Sequence, residues 1–111
     1  MAGALTIINQ PGPLPLKATF NAPSDGPVIF VVSGSAWSAT ANTPVGATIL
    51  LDGKPIGNVQ VWSNGTGTHR ALVTQFIPTQ TTFGQHTITL QALNSHTVTD
   101  LNDPFQVTLL Y

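Results

Sequence analysis

The 111 residues contain no cysteine and no glutamate, and the fixed charges are four Asp against Lys17, Lys54 and Arg70. Without thiols there is no disulfide framework, no thiolate metal centre and no cysteine nucleophile, and the redox compartment stays open. Charged residues make up 6% of the chain, against about 25% in an average soluble domain. Three bases far apart in the sequence and a net charge of −1 form no patch that neutralises phosphates, so nucleic acid is not an expected partner. Long apolar runs are missing too. The longest, Val28 to Val32, falls far short of the roughly 20 residues that cross a bilayer, so no membrane span is expected. The opening MAGALTIINQPGPLP lacks a basic region ahead of its short apolar run and does not read as a signal peptide. Localisation is left open by these features, and the composition is compatible with a secreted or cell-surface setting.

What the chain does have is Thr, Ser, Asn and Gln alternating with Val, Ile and Leu. Residues 46–63, GATILLDGKPIGNVQVWS, read as a β-hairpin, with Asp52-Gly53-Lys54-Pro55 as the turn and Gly53 taking positive φ. Val45, Ala47, Ile49 and Leu51 share one face by period two, and Val59 and Val61 face them from the returning strand. Ala4 to Ile8 is an edge strand stopped by Asn9-Gln10-Pro11-Gly12-Pro13. Leu16, Ala18 and Phe20 mark a half-buried strand. Val28 to Val32 reads as a central strand covered on both faces, and Ser33-Gly34-Ser35-Ala36-Trp37 beyond it points to a bulge or a close backbone approach. His69 to Ile77 is a strand of ambiguous register. Phe83 is expected to pack back from the turn after it. His86, Ile88, Leu90 and Ala92 face inward on the next strand, and Phe105, Val107 and Leu109 on the last. About eight strands at 8–12-residue spacing, with no helical periodicity, predict a single all-β domain over residues 1–111, an antiparallel β-sandwich.

The segments LLDGKPIG, HRALV and GQHTITLQALNS followed by TDLND resemble bacterial immunoglobulin-like and fibronectin-type modules over about the C-terminal 65 residues. The resemblance implies an immunoglobulin-like sandwich with an accessory, adhesive or spacer role, and it transfers no catalytic residue. A short jelly roll of the C1q-like or tumour-necrosis-factor-like kind fits the same pattern.

Three groups of residues invite a chemical reading. His69, His86 and His96 have no metal-ligand spacing and suit polar caps at strand ends. Asp100, Asn102 and Asp103 supply hard oxygens of the kind Ca²⁺ takes, but Asp and Asn also form turns for their own backbone hydrogen bonds; no metal and no cofactor is expected, with calcium there as the alternative. Trp37, Trp62 and Tyr111 can stack on sugar faces or fill a core, and Asn64 and His69 offer polar partners near Trp62. No GxSxG motif, phosphate-binding loop or glutamate for a carboxylate pair is present, so an enzyme is not expected.

The expectation is therefore a non-catalytic interaction module that binds a protein partner or itself, a weakly charged chain of mean hydropathy +0.20 being prone to self-association. The alternative is a small carbohydrate-binding lectin using Trp62, Asn64, His69, Asp100, Asn102 and Asp103. A hydrolase is the third reading.

Overall fold

Residues 2–111 are described by the computed structural model, which carries ten β-strands and no helix among those residues. The strands are β1 (Ala4–Pro11), β2 (Leu16–Ala22), β3 (Gly26–Ser38), β4 (Thr43–Leu51), β5 (Lys54–Ser63), β6 (Arg70–Ala71), β7 (Gln75–Thr81), β8 (Gly84–Ala92), β9 (Thr97–Val98) and β10 (Pro104–Leu110). They form two antiparallel sheets. One runs β1-β10-β3, with β7 and β6 along the far edge of β3 and the short β9 also paired to β3; the other runs β2-β8-β4-β5.

The expected all-β sandwich is present. Immunoglobulin-like describes it at the level of two stacked antiparallel sheets, while the connectivity is that of the jelly-roll alternative. The order β1-β10-β3-β7 over β2-β8-β4-β5 places consecutive strands β1, β2 and β3 in alternate sheets, whereas an immunoglobulin order keeps the first two strands in one sheet.

Strand β3 organises the core. Its even-numbered residues Val28, Phe30, Val32 and Ala36 point between the sheets and are buried, and Ile49, Ile88, Leu90, Val107 and Leu109 meet them there. Phe20 sits edge-on to Phe30, with ring centroids 5.9 Å apart, an arrangement that suits the ring quadrupoles. The other face of β3 is half-open, so only one of its two faces is sealed. At Gly34 a side chain would collide with the Phe105 ring, and the small residue there is the close approach that the sequence announced.

The β4–β5 turn is tighter than four residues. Asp52 and Gly53 both take positive φ, 51° and 84°, as a two-residue type I′ hairpin requires. Pro55 is already paired opposite Leu50, and a bulge leaves Ile56 as the extra residue. The span expected as one strand from His69 to Ile77 is two, because residues 72–74 leave the ladder to bridge the sheets. Leu72 donates its N–H to the Gly34 carbonyl at 2.9 Å, and Val73 donates to that of Gln60 at 3.2 Å. Leu72 and Ile77 turn inward, and Val73 and Phe76 outward. Phe83 does not pack back. It is 73% exposed, on a turn fixed instead by its own N–H donating to Asp25 at 2.7 Å. Ile88 and Leu90 are buried as expected, His86 is half-buried, and Ala92 is exposed at the strand end.

The register of β8 is testable by chemical denaturation. Leu90→Ala should cost about 2–5 kcal/mol, while Thr89→Ala, on the opposite face of the strand, should cost under about 0.5 kcal/mol. Equal costs would contradict the register.

Candidate functional site

The outward residues of β3, Ile29, Val31, Ser33, Ser35 and Trp37, form the spine of the exposed face of the larger sheet. Near the end of β3 two loops close over this face. The β5–β6 loop delivers His69, and the β9–β10 loop delivers Asp100 and Asp103.

Asp103 is the anchor of that corner. Its carboxylate is fully buried, which is unfavourable unless every lone pair finds a donor. Three donors converge on it. His69 Nδ1 lies 2.7 Å from Oδ1, the Ser35 hydroxyl donates to the same oxygen, and the Asp100 N–H donates to Oδ2 at 2.9 Å. Asp100 in turn accepts the Asn102 N–H at 2.8 Å, an Asx turn, and the Trp37 indole N–H at 3.3 Å. The Trp37 and His69 rings lie 5.9 Å apart at 46°. The hydrogen bond to Asp103, with the charges of Asp103 and Asp100, raises the His69 pKa above 6.5 against the opposing effect of burial.

His69, Asp100 and Asp103 bring ligating atoms within 4.8 Å of one another. Because Asp103 is engaged with its three donors, the outward-facing ligand atoms are His69 Nε2 and Asp100 Oδ2, 3.8 Å apart. Ca²⁺ takes six to eight oxygens. Of the set Asp100, Asn102 and Asp103, the first and last already accept hydrogen bonds from the loop itself.

Of the sequence candidates, His69, Asp100, Asn102 and Asp103 are thus brought to one corner. Trp62 and Asn64 are not part of this hydrogen-bonded cluster. Trp62 alternates with buried Ser63 and Val59 on β5, so it projects from the outer face of the smaller sheet, 55% exposed. The aromatic partner of His69 is Trp37, which alternation with buried Ala36 and Ser38 places outward.

Beside this corner the same sheet face holds a groove of about 270 Å³. Four uncharged polar side chains line it, Asn9, Gln106, Ser33 and Thr74, above a floor that includes Leu72 and Phe105. Asn9 pairs with Gln106 across β1 and β10, and Gln106 with Ser33 across β10 and β3. Sequence reasoning missed this row because its members come from both ends and the middle of the chain. A depression of about 450 Å³ at the other end of the face, near Ile29, Pro78 and Tyr111, has no side-chain amide in its wall. Phe76, paired with Val31, stands between the two, 64% exposed.

At the opposite end of the sandwich, His86 has a structural role. Nδ1 lies 2.5 Å from Asp52 Oδ2 and Nε2 lies 2.7 Å from the Thr82 carbonyl oxygen. The Asp52 carboxylate and the Thr82 carbonyl both accept, an arrangement that favours the protonated ring, and His86 so ties the β4–β5 turn to the β7–β8 turn. The bond to Asp52 raises the His86 pKa, helped by the Thr82 carbonyl. Burial pushes the Asp52 carboxyl upward, but the bonds to His86 and to the Thr87 N–H outweigh it and hold the pKa below 3.8.

No protein-family model matches the chain, and no curated protein matches it. Among solved structures it is similar in fold to a β-glucosidase from Paenibacillus barengoltzii, with TM-score 0.60 and 15% identity over 98% of this chain and 10% of that one. It is also similar to a family 35 carbohydrate-binding module from Clostridium thermocellum, with TM-score 0.57 and 14% identity over 96% of this chain and 86% of that one. The CBM35 from Cellvibrio japonicus Abf62 follows, at 0.53 and 14% over 87% of this chain and 64% of that one. These likenesses support an all-β sandwich fold.

Two outcomes follow from the Asp–His pairs. Asp103→Ala, which strands the half-buried Ser35 hydroxyl and Asp100 N–H and frees the exposed His69 ring, should cost at least about 2 kcal/mol and more than Asp100→Ala, as read by denaturant unfolding. The contribution of the His86–Asp52 pair to stability is complete between the ordinary values 3.8 and 6.5. It is lost as pH rises through the raised His86 pKa and as pH falls through the lowered Asp52 pKa. His86→Gln should therefore flatten the alkaline limb of the stability–pH profile, and an unchanged limb would contradict the pairing.

Proposed function

We propose that the protein is a carbohydrate-binding module and that its contact surface is the groove on the outer face of the larger sheet, bordered by the Trp37–His69–Asp100 corner and by Phe76. The observation that carries the reading is the groove wall. Asn9, Gln106, Ser33 and Thr74 can each donate and accept, as sugar hydroxyls do, while apolar groups at the floor suit the C–H faces of a pyranose ring. The Asp103 anchor fixes the loops beside it, which lowers the entropy that binding would otherwise cost. The fold likeness to two carbohydrate-binding modules supports the same reading, and with it a lectin-like rather than a catalytic role.

Binding to a protein partner or to a second copy rests on the exposed apolar side chains alone. Val73, Phe83 and Leu101 stand at separate places on the sandwich, and isolated apolar residues are ordinary on protein surfaces. The carbohydrate reading has the fuller support.

A panel of polysaccharides probed by affinity electrophoresis tests it. At least one should retard the protein, and Gln106→Ala should weaken that binding about tenfold or more, the loss of about 1.4 kcal/mol, with the melting temperature unchanged because Gln106 is exposed. Silence across the panel, or retardation that depends on Trp62 and not on Gln106, would overturn the assignment.

A further inference from the structure

Resting on the sugar-binding reading, we infer that the groove takes a neutral glycan, bound as a run of about three sugar units laid across the strands. Two observations carry this, the spacing of the polar row and the placement of charge.

The row Asn9, Gln106, Ser33, Thr74 crosses from β1 over β10 and β3 to the segment before β7. Val32 pairs with Gln75, and Thr74, where the chain has just left that ladder, lines the groove with Ser33 on the side away from Gln106. Neighbouring strands lie about 4.8 Å apart, so the two paired steps from Asn9 to Ser33 span about 10 Å, and Thr74 carries the row beyond them. One strand spacing is close to the length of one pyranose unit. A chain laid across the strands therefore meets a fresh hydroxyl or carboxamide at each sugar, whereas a chain laid along them would leave the groove. On one side it would meet Pro104 and the Asp103 corner, and on the other the row holding Val31 and Phe76.

Charge selects the class of glycan. No Lys or Arg lines the groove. Lys17 alternates with buried Leu16 and lies on the outside of the other sheet, and Lys54 sits in the hairpin turn at the far end. Arg70 pairs opposite Ala36, on the inward side, where its Nε is buried without a partner among the described residues. The ionisable groups that border the groove are His69, Asp100 and Asp103, two carboxylates to one imidazole. A uronic-acid polymer would meet the Asp100 carboxylate with no fixed cation to balance it.

Isothermal titration calorimetry on the whole chain tests this with neutral gluco-, xylo-, manno- and galacto-oligosaccharides of one to six units, and with oligogalacturonate as the acidic probe. In the series that binds, affinity should rise about tenfold or more from one unit to three and change less than about twofold beyond four. Raising salt from low to high should leave it within about twofold. The double substitution Asn9→Ala and Thr74→Ala, at the two ends of the row, should abolish the gain between two and three units while leaving disaccharide binding measurable. Full affinity with a monosaccharide, or preferential binding of oligogalacturonate, would overturn the inference and leave the sugar-binding reading standing. Failure of every probe would remove that reading itself.

Discussion

Strict alternation along β3 is the constraint on which the molecule depends. Its thirteen residues pair with β10 on one edge, with β7 and β6 on the other, and with the short β9 near the end, so their period of two is imposed on the whole larger sheet. Val28, Phe30, Val32 and Ala36 are inside because Ser33, Ser35 and Trp37 are outside. A slip of one residue would bring two serines and an indole into the core and set four apolar side chains in water. Gly34 fixes the register locally, since the Phe105 ring occupies the space a side chain would need. The core and the candidate site are thus two consequences of one pairing.

With so few charges the protein uses them locally. Among the described residues every ion pair joins a histidine to an aspartate, and Lys17, Lys54 and Arg70 make none. Each pair ties loops at one end of the sandwich. His86 holds two turns together, and Asp103 gathers the β5–β6 and β9–β10 loops around Ser35. Burial makes the second arrangement selective, because a carboxylate withdrawn from water tolerates no rearrangement that removes a donor. The result is a fixed corner beside a neutral groove, which under the proposed reading would recognise its ligand through hydrogen bonds and shape rather than long-range attraction.

The sandwich was legible because alternation is a local property. The hairpin at Asp52-Gly53, the burial of Ile88 and Leu90, and the central place of Val28 to Val32 all follow from neighbours within a few residues. The small residues at 33–35 announced a close approach, although nothing local said that Phe105 makes it. Connectivity was less legible, since jelly-roll and immunoglobulin orders use strands of the same character. The site was half legible. Asp100, Asn102 and Asp103 lie within four residues and His69 opens a strand, whereas Trp62 is near His69 in sequence but lies on the outer face of the smaller sheet, and Trp37, distant in sequence, lies beside His69 on the larger one. The row of Asn9, Gln106, Ser33 and Thr74 exists only through long-range register, and no single stretch encodes it.

Amide chemical-shift mapping during titration with the best-binding neutral oligosaccharide addresses the central claim most directly. Saturable shifts should concentrate at Asn9, Ser33, Thr74 and Gln106, extend to His69 and Phe76, and leave the outer face of the smaller sheet unperturbed. Shifts centred on Trp62, Gln60 and Thr48, with the row on the larger sheet silent, would contradict it.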